Sequence, residues 1–249
     1  MLSYKIELAE LVVEVTVSYP STKRFLSKYL SEKDADFSVT VKREDIELER
    51  EYSKNEDEFQ ATTIREPTDE YLETLALYRK IVTEALKSDV LLIHGSAVAV
   101  DGKAYIFTAE SGTGKSTHTR LWRELLGEKA VMINDDKPLI RVNAGKVIAY
   151  GSAWNGKHKL GNNVSAELSA ICILKRGDTN KIRKIDDVKS VFPYILQQTF
   201  RPKDRENMIK TVELLDKVLE NVNLYELYCN TELDAARVSY ESMTWNNKK

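Results

Sequence analysis

The sequence predicts an α/β fold in which a mixed, partly antiparallel sheet carries a phosphate-binding loop (P-loop), with a small α+β part ahead of it. Three observations predict it. A short apolar run at residues 105–108 leads into Ala109-Glu110-Ser111-Gly112-Thr113-Gly114-Lys115-Ser116-Thr117 and then into an amphipathic run, the strand–loop–helix order of nucleotide-binding α/β proteins. Asp101-Gly102 and Asn143-Ala144-Gly145 each sit between two apolar runs and read as hairpin turns, which makes part of the sheet antiparallel. A boundary falls near residue 65, after a charged stretch, and divides a cap over residues 1–65 from a core over residues 66–249.

Taken in order, residues 11–17 alternate, with Val13, Val15 and Val17 on one face and Glu14 and Thr16 on the other. That is a half-buried strand. Residues 21–30 carry a short helical pattern, and residues 37–41 read as another strand. Residues 42–58 mix charges of both signs and are expected to form a solvated edge or loop without chemistry. Pro67-Thr68-Asp69-Glu70 is a helix start, a threonine cap followed by acids in the first turn. Leu72, Leu75, Val82 and Leu86 mark that helix's apolar face, and Tyr71 and Tyr78 are assigned to packing. Strands follow at 90–93, 97–100 and 104–108, then a helix at 115–126 and strands at 130–133, 139–142, 147–150 and 170–174. Residues 186–198 read as a helix that Pro193 kinks or breaks. Residues 202–219 read as a second helix, 224–228 as a strand and 233–243 as the last helix.

Composition excludes several classes. The 249 residues carry 37 Lys+Arg against 39 Asp+Glu, a formal net charge of −2. That balance lacks the basic excess of a dedicated nucleic-acid binder. A hydrophobic content of 42% excludes a disordered, acidic chain. No stretch approaches the ~18 apolar residues of a membrane span. Residues 1–10, with Lys5, Glu7 and Glu10, lack the apolar core of a signal peptide. Cys172 and Cys229 have neither metal spacing nor disulfide density and read as two buried thiols. The expectation is a soluble cytoplasmic protein that engages neither nucleic acid nor membrane.

The glycine-rich segment carries the chemistry. It fits the phosphate-loop pattern except that Ala109 replaces the first glycine, a small residue that still permits the turn. Gly112 and Gly114 allow backbone angles that turn successive N–H groups inward. The helix beginning at Lys115 adds its positive dipole end. Glu110, Ser111, Gly112, Thr113, Gly114, Lys115, Ser116 and Thr117 are therefore the candidate nucleotide-binding residues, with Lys115 on the β- and γ-phosphates and the Ser116 hydroxyl on Mg²⁺.

Asn134-Asp135-Asp136 follows a short apolar strand, at the end where ligands of α/β sheets gather. Paired carboxylates beside a nucleotide loop have two natural tasks, holding Mg²⁺ and accepting the proton of an attacking hydroxyl. Consecutive residues leaving a strand point differently, so the two tasks divide between Asp135 and Asp136. His94 ends the strand at 90–93 and is either structural or part of the nucleotide site. His118 is assigned to packing or the surface. The loop Gly151-Ser152-Ala153-Trp154-Asn155-Gly156-Lys157-His158-Lys159 is either a clamp for substrate or γ-phosphate or a surface loop pinned by Trp154, and Lys157 is its candidate cation. Arg201, in Phe200-Arg201-Pro202, is a candidate anion contact or a solvated residue at a helix start.

In order and approximate spacing, His94-Gly-Ser-Ala, the loop Glu110-Ser-Gly-Thr-Gly-Lys-Ser and Asn134-Asp135-Asp136 resemble HPr kinases. Phosphoenolpyruvate carboxykinases are similar in this nucleotide core. The wider run, with Tyr150-Gly151-Ser-Ala-Trp154-Asn-Gly-Lys157 and Arg201-Pro202-Lys203, resembles short HPr-kinase-like bacterial proteins, relatives of which modify lasso peptides. The resemblance covers roughly residues 88–245. It implies an HPr kinase/phosphoenolpyruvate carboxykinase-like core, ATP and Mg²⁺ as cofactors, Lys115 and Ser116 on phosphate and metal, and one Asp of the pair as base with the other on the metal, the metal role being assigned to Asp136. It implies that His94 lies near metal or phosphate, and it makes a homo-oligomer a possibility. The signature segment of HPr kinases after the Asp pair is absent, with the 154–157 loop in its place, so HPr is not implied as the substrate.

The expected activity is an ATP- and Mg²⁺-dependent kinase that transfers the γ-phosphoryl group to a hydroxyl of a small molecule, peptide or protein serine. Asp135, Asp136, Lys115, Lys157 and Arg201 are its candidate catalytic residues. Two other readings stand beside it: a phosphoenolpyruvate carboxykinase-type enzyme, and a nucleotide-sensing module without turnover. The chain is short for the first, and the intact Asp pair counts against the second.

Overall fold

A computed structural model of the chain describes residues 1–60, 66–156 and 158–245, without the side chains of residues 54–60 and 245. It forms two compact units, Met1–Ala85 and Leu86–Lys249. The sequence boundary stood at residue 65, whereas the helix Asp69–Ala85 falls within the first unit.

In the first unit β1 (Leu2–Leu8) and β2 (Leu11–Val17) pair antiparallel, and β3 (Phe37–Thr40) joins β2 in parallel. The β1–β2 turn is Ala9-Glu10, both at positive φ (51° and 60°). Two-residue turns of that geometry favour Asn and Gly, which is why β1 left no hairpin signal in the sequence. The helix α1 (Pro20–Phe25) crosses between β2 and β3 and has no side-chain cap of its own. The buried carboxylate of Glu73, from α3 (Asp69–Ala85), replaces it by accepting from Ser18 N at 2.6 Å, Tyr19 N at 3.1 Å and Thr22 Oγ1.

Residues 42–58 are not a loop: α2 (Arg43–Gln60) runs through them. Their charges fall at helical spacing, with Glu47 accepting from both Arg43 and Arg50. Asp45 accepts from Lys42 N at 2.8 Å and starts the helix. One face is anchored by Ile46, 2% exposed, and by the buried Glu49, which takes both Nε and NH2 of Arg79 on α3. A charge-rich stretch was legible as polar, but the buried pair that makes it a helix lies 30 residues away.

The second unit is a nine-stranded mixed sheet. Its elements are β4 (Val90–Leu92), β5 (Ser96–Val100), β6 (Lys103–Thr108), α4 (Lys115–Leu126), β7 (Ala130–Asn134), β8 (Leu139–Asn143), β9 (Lys146–Tyr150), β10 (Ser165–Arg176), β11 (Lys181–Lys184), α5 (Phe192–Gln197), α6 (Arg205–Asn221), β12 (Asn223–Cys229) and α7 (Leu233–Trp245). Both expected hairpins are present, β5–β6 through Asp101-Gly102 and β8–β9 through Ala144-Gly145, each turn with two positive φ values. The strand β10 is the hub. It pairs in parallel with β6 on one edge, and on the other with β9 over its first residues and β12 over its last. The strand β5 runs antiparallel to both β6 and β7. Hence β6, β7, β10 and β12 all point the same way and end at one edge of the sheet.

Alternating residues divide the core between the two faces. Tyr105, Phe107, Cys172, Leu174 and Tyr225 pack with Leu121 and Trp122 of α4 and with Met243 of α7. Ile106, Ile171, Ile173 and Leu224 pack with Ile195 of α5 and with Leu214, Leu215 and Val218 of α6. The expected helix over 186–198 is a short turn at Val188–Ser190 followed by α5, with Pro193 in the first turn. No N–H is needed there, so the proline starts the helix instead of kinking it. The Asp204 side chain caps α6 by accepting from Asn207 N at 2.9 Å, so that helix begins three residues later than expected. Among the described residues, no helix is long and apolar enough to cross a membrane.

Candidate active site

Residues 109–114 leave the end of β6 and turn into α4 at Lys115. Gly112 and Gly114 have φ of 75° and 122°, left-handed values that a side chain would strain. Gly114 caps α4 without a side-chain bond, so the first amides of the helix face the loop's mouth. Thr113 N donates to Glu110 O at 3.2 Å and closes the turn. Glu110, Ser111 and Gly112 are exposed, while Thr113, Lys115, Ser116 and Thr117 are half-buried. Lys115 folds back on its own loop, donating to Ala109 O at 2.9 Å and Glu110 O at 3.4 Å. Burial lowers the pKa of its ammonium, and the charge of Asp136 acts in the opposite direction.

The carboxylates follow β7. Asn134 sets their geometry: its Oδ1 accepts from Asp136 N at 2.8 Å and Lys137 N at 2.6 Å, and its Nδ2 donates to Ser152 O at 3.1 Å. The two aspartates then face different surroundings. Asp135 is 3% exposed; its Oδ1 accepts from Gly156 N at 2.7 Å, while its Oδ2 is buried without a partner. Asp136 has both oxygens engaged, Oδ1 with His94 Nε2 at 2.8 Å and Oδ2 with Lys137 Nζ at 2.5 Å. Burial works against its ionisation, but the His94 hydrogen bond and the Lys137 ammonium outweigh it and bring the carboxyl down to about 2.

His94 and Gly95 stitch the two motifs together. Thr108 Oγ1, at the end of the strand that feeds the loop, donates to His94 O at 2.8 Å, and Gly95 N donates to Asp136 O at 3.0 Å. The loop after β9 closes over the same edge, with Trp154 6% exposed and Asn162 N donating to Ile133 O. A Cβ on Gly151 would stand 1.8 Å from Asn162 O, so only glycine fits that approach. His94 N donates to Gln198 O at 2.6 Å and Phe200 N to Leu92 O at 2.9 Å, which lays the segment before Arg201 along β4.

The structure thus gathers Lys115, His94, Asp135 and Asp136 with the loop. Arg201 is exposed at the end of the segment beside β4. Lys157 lies outside the described residues. His118 packs as expected, 2% exposed, and burial lowers its pKa to about 4. Of the two thiols, Cys172 is buried and Cys229 half-buried. Three contributors were missed by sequence reasoning: Lys137 on Asp136, the Gly156 amide on Asp135, and Arg176, whose NH2 donates to Gly112 O at 2.7 Å. Lys137 could have been found from its adjacency to the Asp pair. Arg176 is only a cation ending an apolar strand, and nothing in the sequence ties it to residue 112.

Among the described residues, no group of three or more His, Cys, Asp and Glu side chains could hold a metal by itself. Mg²⁺ needs no such cage, since one or two carboxylates with substrate phosphates suffice. The orphaned Asp135 Oδ2 and the ionised Asp136 beside the loop fit that requirement.

No family model matches the chain, and no curated protein matches it. Among solved structures it is similar to the Hpr(Ser) kinase/phosphatase from Coxiella burnetii, with 10% identity and a TM-score of 0.37 over 63% of this chain and 95% of that one.

Proposed function

We propose that the protein is an ATP- and Mg²⁺-dependent phosphotransferase that passes the γ-phosphoryl group to an alcohol on a small molecule, a peptide or a protein serine. One observation carries the reading: His94-Gly95 bonds both to Thr108, where the glycine-rich loop departs, and to Asp136, so that loop and the carboxylate pair share one sheet edge.

The loop amides and the start of α4 bind the phosphates. Lys115 leaves its two carbonyl partners and turns onto the β- and γ-phosphates. Ser116 and Asp136, which stays ionised across the physiological range, would hold Mg²⁺. When bound, Mg²⁺ supplies neutralisation of the phosphate charge. Asp135, with one oxygen engaged by Gly156 and the other unpartnered, receives the acceptor's hydroxyl proton. The acceptor oxygen bonds to the γ-phosphorus as the bridging bond to ADP breaks. Lys157 and Arg201 remain candidates for countering the equatorial charge.

The deciding experiment incubates the protein with γ-labelled ATP and a cell extract and locates the label by mass spectrometry. Label on an alcohol oxygen, dependent on Mg²⁺ and lost in Lys115→Ala, supports the reading. ADP formation coupled to oxaloacetate decarboxylation, or ATP binding with no product from any acceptor fraction, overturns it.

A further inference from the structure

Beside the P-loop, on the side away from the aspartates, lies a cavity of about 390 Å³, within the ~300–1,000 Å³ range of small-molecule sites. Gly112, Gly114 and Thr117 form its loop side, and the ends of β10 and β12 form the other. In the sheet, β5 and β7 lie to one side of β6, and β10 and β12 to the other. A linear triphosphate whose γ end meets Asp135 and Asp136 therefore runs its α end towards this cavity.

The walls have two characters. Leu121 and Leu174, each 3% exposed, give an apolar surface for a flat ring. Asp178, Asn230 and Thr231 give polar groups at the rim. Arg176 lines the cavity while one of its five N–H donors holds Gly112 O, so the wall and the loop are one connected structure. His118 lines it too. Ser239 Oγ donates its proton to the α7 backbone at Ala235 or Ala236 and accepts from Trp122 Nε1 at 2.8 Å. His118 Nε2, 2.9 Å from that oxygen, is then the donor, and its buried Nδ1 is an acceptor without a partner.

We infer that this cavity is the subsite for the nucleoside half of a nucleoside triphosphate, with the base against Leu121 and Leu174 and the sugar towards Asp178 and Thr231. The inference rests on the reading that the loop holds the triphosphate.

Cys229 supplies a reporter, because it is half-buried in the cavity wall while Cys172 is fully buried. Iodoacetamide labelling of the native protein, mapped by mass spectrometry, is followed with Mg·ATP, with Mg·tripolyphosphate and with neither. ATP is expected to slow Cys229 labelling about tenfold or more, and tripolyphosphate to leave it unchanged. The exposed rim residue Thr231 gives an independent variant: Thr231→Trp fills the mouth and should weaken ATP at least about tenfold while tripolyphosphate binds as before. ATP binding seen by calorimetry with unaltered Cys229 labelling, or undiminished ATP affinity in Thr231→Trp, overturns the subsite and leaves the phosphotransferase reading standing. Absence of any ATP binding overturns both.

Discussion

The imidazole of His94 and the carboxylate of Asp136, 42 residues apart in sequence, meet at 2.8 Å between Nε2 and Oδ1. His94 ends the segment after β4 and Asp136 follows β7, so their contact fixes the carboxylate pair relative to the strand that feeds the loop. With Lys137 on the second oxygen, the contact brings Asp136 from its ordinary 3.8 down to about 2.

That depression makes stability depend on pH in a definite direction. A carboxyl with a lowered folded-state pKa stabilises the protein fully above its unfolded value and loses that contribution as pH falls through the folded value. Unfolding followed by urea at several pH values should show ~2 kcal/mol disappearing between about pH 4 and pH 2. In Asp136→Asn that acid limb should flatten; an identical limb in the variant would refute the assignment.

If the proposed mechanism holds, replacing Lys115 by Ala should cut phosphoryl transfer by about a hundredfold or more, since a charge-assisted donor to the transferring group is lost. Steady-state ADP release measures it. Ordinary turnover in this variant would exclude the mechanism.

The two aspartates should separate in their effects. On the proposed mechanism Asp135→Asn removes the proton acceptor and should lower transfer by roughly 10²–10⁴ with ATP affinity kept. Asp136→Asn should also be severe, and should raise the Mg²⁺ concentration needed for half-maximal rate. Mg²⁺ titrations of both variants distinguish the roles, and a shift of Mg²⁺ dependence in Asp135→Asn alone would reverse them.

Gly151→Ala tests the loop that closes over the carboxylates. The added Cβ meets Asn162 O at 1.8 Å and Ile133 O at 2.9 Å, both backbone atoms that cannot rotate away. A loss of at least ~1–3 kcal/mol in denaturant unfolding is expected. Wild-type stability would mean that the loop does not hold this approach in solution.

In the first unit, Arg79→Ala leaves the Glu49 carboxylate, 3% exposed, without its guanidinium. Stranding a buried charge costs ~3–5 kcal/mol. Arg79→Ala paired with Glu49→Gln should recover part of the loss, and failure to do so would assign the cost to packing.

What the sequence made legible and what it hid have physical reasons. The loop and the Asp pair show because they set distinctive residue types at short spacing, and both hairpins show because each turn keeps a glycine, Gly102 or Gly145, at positive φ. The strand β1 hid because its turn is Ala9-Glu10, which reaches the same geometry without those residues. The helix α2 hid because its sequence is predominantly polar and its anchor, Arg79, comes from another helix. In the site, Gly156 on Asp135 and Arg176 on Gly112 are contacts across 21 and 64 residues, set by the folding of loops over the sheet edge.

The hub position of β10 has a consequence for how the chain is made. Its edge towards β6 is filled by residues already synthesised, but over Ala170 to Arg176 the opposite edge waits for Asn223–Cys229, about fifty residues later. While the nascent chain is between those points, an apolar strand presents open backbone groups to any neighbour. A ribosome pausing in that interval would lengthen the exposure of that open edge, and the last strand to emerge is the one that ends it.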